Sequence, residues 1–193
     1  MSGYAFDSSR GLLIVNTNNL PAKVKLIPRA EFEATRTREE GEYGLSTGTP
    51  FVLFRRYMQA PSGLPCGRPP WGSLVALDIN AGTIRWQVPL GSMAPFASGV
   101  SNVPSGSISL GGPIVTAGGL VFIAGTIDPY LRAFDIDTGR ELWKAELPAS
   151  GHATPMTYMV DGRQYVVIAA GGHAKISEEP QSDALVAFAL PKS

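Results

Sequence analysis

The sequence predicts an all-β chain, a partial β-propeller of about three four-stranded blades, and two observations carry that prediction. The first is residues 111 to 143, a stretch holding every strand and turn signal of one four-stranded meander. The second is a repeat. Ala76-Leu77-Asp78-Ile79-Asn80-Ala81-Gly82-Thr83-Ile84-Arg85-Trp86 matches Ala133-Phe134-Asp135-Ile136-Asp137-Thr138-Gly139-Arg140-Glu141-Leu142-Trp143 at Ala, Asp, Ile, Gly and Trp, all at an offset of 57 residues (143 − 86). A third, partial copy, Leu185-Val186-Ala187-Phe188-Ala189-Leu190, repeats Leu131-Arg132-Ala133-Phe134 at an offset of 54 (187 − 133) and stops before its turn and tryptophan. Repeats of this length with four strands each are the pattern of a propeller, in which every unit buries its face against its neighbours.

Taken in order, the first unit uses residues 4 to 18 and 72 to 90. It opens with a strand at 4 to 7, a Ser8-Ser9-Arg10-Gly11 turn and a strand at 12 to 17. The second unit, 113 to 147, has apolar β-branched runs at 113 to 116 and 120 to 125 around Ala117-Gly118-Gly119. After a break at Ile127-Asp128-Pro129, strands at 130 to 135 and 141 to 145 flank Asp137-Thr138-Gly139. The third unit, 153 to 189, contains the hairpin turn Asp161-Gly162 and only three strands. In each unit the motif has a packing sense: a small Ala lets a neighbour approach, Asp and Gly shape the turn, and Trp covers the joint. With no spare N-terminal strand to complete the third unit, an open arc of a larger propeller is expected. Its edges would be covered by other blades or by self-association.

Composition narrows the function classes. Sixteen basic and sixteen acidic residues cancel, which argues against nucleic acid or an anionic membrane surface as partner. Hydrophobic residues make up 44%, enough for a buried core, while 22 Gly and 16 Pro at turn-like intervals favour short strands over long helices. Cys66 is the single cysteine, so it has no internal disulfide partner and no metal-binding spacing; it reads as a buried or half-buried thiol. The N-terminus enters a strand at once with no signal peptide, as a piece of a longer protein would.

In an antiparallel meander alternate connections emerge on one face, so the links between units and the middle loop of each unit share a rim. On that rim fall residues 107 to 112, 126 to 129, 150 to 153 and 170 to 180, together with residues 19 to 71, an insertion far longer than ordinary loops. The insertion is read as a possible short polar helix at 29 to 40 and then Pro- and Gly-rich chain anchored by Phe51, Phe54, Tyr57 and Met58. Gly111-Gly112 and Gly171-Gly172 are either room for a turn or sites of close backbone approach to a flat ligand. His173 is either a solvated loop side chain or a group able to position a hydroxyl substrate or exchange its proton. Asp128, before Pro129, is most simply a turn residue, and His152 ranks below His173. No phosphate loop, zinc spacing or nucleophile elbow occurs.

Several segments carry a resemblance: Lys25-Leu26-Ile27-Pro28-Arg29, Gly63-Leu64-Pro65-Cys66 with Pro70-Trp71-Gly72, and Leu110-Gly111-Gly112-Pro113-Ile114. Tyr130-Leu131-Arg132-Ala133, Ala153-Thr154-Pro155-Met156-Thr157-Tyr158 and Gly171-Gly172-His173 complete the set. Through them the chain resembles the C-terminal part of the quinoprotein dehydrogenases dependent on pyrroloquinoline quinone (PQQ), in the membrane-bound glucose dehydrogenase branch that also holds quinate dehydrogenase. The resemblance implies an eight-bladed propeller with about five blades upstream, PQQ held on the axis by calcium or magnesium, oxidation of the C1 hydroxyl of aldose sugars, and electron delivery to ubiquinone. It further implies a periplasmic-facing location. By resemblance, Leu110, Gly111, Gly112, Gly171 and Gly172 approach the cofactor, while His173 and Asp128 match substrate-site positions. Alcohol-oxidising relatives carry Trp at the position of Leu110. The catalytic aspartate, the metal ligands and the transmembrane helices fall upstream, so no catalytic or metal residue is expected in this chain and the 193-residue polypeptide is expected to be inactive alone. The rival reading is a non-enzymatic propeller scaffold of envelope assembly, which binds peptides along strand edges.

Overall fold

The structure, a computed structural model, describes residues 3–94, 105–173 and 180–191. It divides into two compact units, residues 20–68 and the remainder.

In the larger unit, β1 (Tyr4–Asp7), β2 (Leu12–Asn18), β6 (Gly72–Asp78) and β7 (Thr83–Pro89) form one antiparallel sheet in that order. A second sheet runs β8 (Ile114–Val115), β9 (Leu120–Ile123), β10 (Tyr130–Asp135) and β11 (Glu141–Glu146). A third holds β12 (Met156–Val160), β13 (Arg163–Ala170) and β14 (Ala184–Ala189). These are the expected two complete blades and one of three strands. The repeat extends to backbone detail. Ala76 pairs with Trp86 and Ala133 with Trp143, and a bulge follows each alanine. The small alanine therefore leaves room for the indole across the strand pair.

The motif's aspartates and glycines shape their turns as expected. Asp78 Oδ1 accepts the Asn80 and Ala81 N–H groups, and Asp135 Oδ1 accepts those of Asp137 and Thr138. Gly82 and Gly139 take the left-handed conformation at φ +67° and +71°, where a Cβ is disfavoured. At Gly82 an added Cβ would meet nothing within 4 Å, whereas at Gly139 it would lie 2.6 Å from the Trp86 ring.

The core lies between the sheets. Leu12, Ile14, Leu74 and Trp86 of the first sheet join Val121, Ile123, Phe134 and Ile136 of the second. Ala124, Leu131 and Leu147 of the second join Val166, Ile168 and Ala170 of the third. β6 and β10 are buried on both faces over most of their length, as strands covered on two sides must be.

The smaller unit corrects the reading of the insertion. β3 (Ala22–Pro28), β4 (Glu42–Leu45) and β5 (Phe51–Tyr57) form a sheet in the order β3-β5-β4. The helix is only α1 (Phe32–Arg36), preceded by one 3-10 turn at Arg29–Glu31. Thr35 and Thr37 turn their hydroxyls back to the Glu31 and Ala34 carbonyls, and the segment is tied down by Glu39, which pairs with Lys23 and Lys25. Of the four expected anchors only Phe54 is buried, stacked at a tilt on Tyr43; Phe51, Tyr57 and Met58 are exposed. Cys66 is also exposed, contrary to expectation, because it follows the buried Pro65 in an irregular loop with no apolar layer over it.

Candidate functional site on the shared rim

Main-chain contacts form the centre of the rim, and Gly125 is their hub. Its carbonyl accepts the Leu110 N–H at 2.8 Å and its own N–H donates to the Gly151 carbonyl at 2.7 Å. Gly125 has φ +71°, and an added Cβ at Gly111 would sit 3.0 Å from both the Gly125 Cα and the His152 carbonyl oxygen. Three chain segments thus cross in direct contact, and glycine is required because no side chain fits between them. Gly112 is similarly close to the Gly3 Cα and the Thr154 hydroxyl. At both positions the near neighbour is the chain's own backbone.

Gly172, at φ +69°, donates its N–H to the Ser150 carbonyl at 2.9 Å, while the Ser150 hydroxyl donates to the Ile127 carbonyl at 2.9 Å. The residues preceding His173 and Asp128 therefore meet on one buried serine. Gly171 is exposed, and Leu110 is half-buried. His173 packs edge-to-face on His152, ring centroids 5.5 Å apart, and His152 Nδ1 lies 3.1 Å from the Gly125 carbonyl oxygen.

Asp128 is buried, 4% exposed, and forms a two-pronged ion pair with buried Arg132, at 3.3 Å to Nη1 and 2.5 Å to Nη2. Arg132 Nη1 also donates to the Thr126 hydroxyl, and its Nε faces Glu141 at 3.3 Å. The carboxylate is thus paired with a cation and fixed in direction.

Asn16 and Gly125 lie outside the residues to which the sequence points. Asn16 is the third inward residue of β2 after Leu12 and Ile14, so the signal available was a polar side chain where the alternation calls for an apolar one. Its Nδ2 donates to the Ser109 hydroxyl at 2.6 Å and to the Gly111 carbonyl at 2.8 Å. Since the Gly111 carbonyl can only accept, the amide orientation is set, and it leaves Oδ1 buried with no hydrogen-bond partner among the described residues. Such an orphan acceptor costs about 1–3 kcal/mol, a penalty that a bound donor would remove.

Repeat, bulges and joint tryptophans together define a β-propeller fragment. Comparison with known proteins places it further: the chain belongs to the PQQ dehydrogenase family, the model described as glucose/ethanol/alcohol dehydrogenase, beta-propeller domain, matching residues 1–166. It is 41% identical over 200 residues to the quinoprotein glucose dehydrogenase of Escherichia coli (strain K12), covering 98% of this chain and 25% of that protein. To the quinate/shikimate dehydrogenase (quinone) of Acinetobacter baylyi it is 37% identical, covering 97% and 25%. Among solved structures it is similar to the quinohemoprotein alcohol dehydrogenase from Comamonas testosteroni, with a TM-score of 0.58 and 29% identity over 87% of this chain and 21% of the other. The chain spans about a quarter of the length of the curated relatives it matches.

Proposed function

We propose that the chain forms the C-terminal blades of a PQQ-dependent sugar dehydrogenase that oxidises the C1 hydroxyl of glucose or a related aldose on the periplasmic side of a membrane and passes the electrons to ubiquinone. The observation that carries this reading is the near end-to-end similarity to a quinoprotein glucose dehydrogenase, joined to a buried acceptor, Asn16 Oδ1, beside the glycines expected to face the cofactor. Bound PQQ supplies the two-electron acceptor. Around it, the backbone at Leu110, Gly111, Gly112, Gly171 and Gly172 forms the wall, and Asn16 offers Oδ1 to a donor. His173 meets the sugar, and Asp128, held by Arg132, accepts a hydroxyl hydrogen bond. By the same resemblance, calcium or magnesium would draw its ligands from blades outside this chain. Among the described residues no helix is long and apolar enough to cross a membrane. The third sheet has β12 and β14 as its two edges, for the remaining blades or a second copy to cover.

The test is steady-state turnover by the full-length protein loaded with PQQ and calcium or magnesium. Glucose, quinate and glycerol serve as substrates and a soluble ubiquinone analogue as acceptor. Glucose is expected to give the highest kcat/KM. Turnover confined to quinate would replace the sugar by a cyclic polyol, and no turnover of any of the three would overturn the dehydrogenase reading. The 193-residue chain alone is expected to show no turnover.

A further inference from the structure

We infer that Asn18 is a positioning residue for the cofactor wall: its side-chain amide pairs with the Ser109 backbone in both directions and so fixes the peptide group that leads into Leu110 and Gly111. The inference rests on the reading of Leu110, Gly111 and Gly112 as chain that faces PQQ. Asn18 is the last residue of β2, exposed, and stands opposite Gly72 of β6. Asn16 and Asn18 are two apart on that strand and so project from the same face. Both reach the segment that carries the wall. Asn18 Nδ2 donates to the Ser109 carbonyl at 2.9 Å, and Asn18 Oδ1 accepts the Ser109 N–H at 2.8 Å. A carbonyl only accepts and a backbone N–H only donates, so one orientation of the amide satisfies both. The side chain thereby does for Ser109 what the backbone of a neighbouring strand does in a ladder.

The consequence falls on the residues that follow. A peptide group is planar, so holding its oxygen and its nitrogen fixes the direction of the whole unit. In the peptide joining Ser109 to Leu110, the carbonyl is held by Asn18 of the first sheet. The N–H of that peptide, on Leu110, donates at 2.8 Å to the carbonyl of Gly125, just past β9 of the second sheet. In the peptide joining Gly111 to Gly112, the carbonyl accepts Asn16 Nδ2 at 2.8 Å. The peptide between Leu110 and Gly111 is therefore bracketed by one unit fixed at both ends and one held by its oxygen. Two successive glycines would otherwise leave this stretch broad conformational freedom. A wall that lies against a flat cofactor gains from having its direction set beforehand, because ordering it at binding weakens affinity.

The test uses the full-length protein, freed of PQQ and then titrated with it in the presence of calcium or magnesium. Asn18→Ala removes both hydrogen bonds and is expected to weaken PQQ binding on the order of tenfold. Asn18→Asp keeps the size and the acceptor but turns an oxygen toward the Ser109 carbonyl oxygen, so it should weaken binding at least as much. Leu110→Ala and Leu110→Trp test the underlying reading, since trimming or enlarging a side chain on a cofactor-facing wall alters PQQ affinity or the absorption band of bound PQQ. Thermal midpoints are measured without PQQ, and affinities are compared at equal distances below them. A changed affinity or band in the Leu110 variants with parent affinity in Asn18→Ala overturns the positioning role alone. So does full affinity in Asn18→Asp, or a loss that vanishes once the variants are compared at equal distances below their midpoints. Unchanged affinity and band in both Leu110 variants remove the reading of the wall, and the role of Asn18 falls with it.

Discussion

Trp86 and Trp143 end two copies of one motif, yet their settings differ. Trp86 is 9% exposed: its indole N–H donates to the Ile136 carbonyl at 2.8 Å, and its ring lies on Gly139, both in the turn of the next sheet. Trp143 is 40% exposed and makes an edge-to-face contact with Phe188, centroids 5.2 Å apart. In the third sheet the position equivalent to Ile136 is Leu190, 54 residues on (190 − 136), and its carbonyl already accepts two hydrogen bonds from the Arg163 guanidinium. The position equivalent to Gly139 lies outside the described residues. The motif thus provides the tryptophan, but the next sheet's turn decides how deeply it is buried.

The most demanding test of that contrast removes both rings in the full-length protein. Trp86→Ala should cost about 3–5 kcal/mol in denaturant titrations, the range for a buried aromatic. Trp143→Ala should cost about 1 kcal/mol, as for a half-exposed side chain. Equal losses would break the comparison. A finer test uses two glycines at the same motif position with nearly the same φ. Gly82→Ala meets no neighbour and should cost about 1–2 kcal/mol for the left-handed backbone alone, whereas Gly139→Ala must also displace Trp86 and should lose more. Similar midpoints for the two variants would show that the indole yields freely. Next in size, Trp86→Phe deletes the hydrogen bond to Ile136 and should cost about 1 kcal/mol beyond the lost ring area, while Trp143→Phe should stay within about 0.5 kcal/mol.

The smallest expected effect is a pH dependence in the turn on which Trp86 rests. Asp135 is held below the usual carboxylate range, first by the Thr138 hydroxyl and then by the Thr138 and Asp137 N–H groups. A carboxylate whose folded pKa is depressed adds stability that is complete above its unfolded pKa, near 3.8, and is lost as pH falls through the lower folded value. Stability profiles of the parent and Asp135→Asn should therefore converge in the acid range below pH about 4 and separate above it. Parallel profiles across that range would contradict the assignment.

Much of this architecture is legible in sequence because the turn chemistry is local. Asp, Gly and Trp at fixed spacing specify one turn and one joint, and the strands between them alternate or run apolar as their burial requires. The insertion was harder to read. Its strands β3 and β5 pair across an intervening helix and β4, so no tight turn announces that pairing, although Gly48 at φ +81° marks the turn from β4 to β5, and the charged run around α1 looks helical well beyond its true length. On the candidate rim, the paired glycines and His173 stand out in sequence, whereas the contacts of Asn16, Gly125 and His152 join segments far apart in the chain. Asn16 and Gly111 are 95 residues apart, beyond the reach of any local pattern.

The crossing of Gly111, Gly125 and the His152 carbonyl has a mechanical consequence. With peptide groups touching and no rotatable side chain to absorb movement, a tilt of one sheet is transmitted directly to the loop carried by its neighbour. The inner wall should behave as a single stiff hoop segment, and drift in sequence should be tolerated best at the outer strands, where side chains can cushion it.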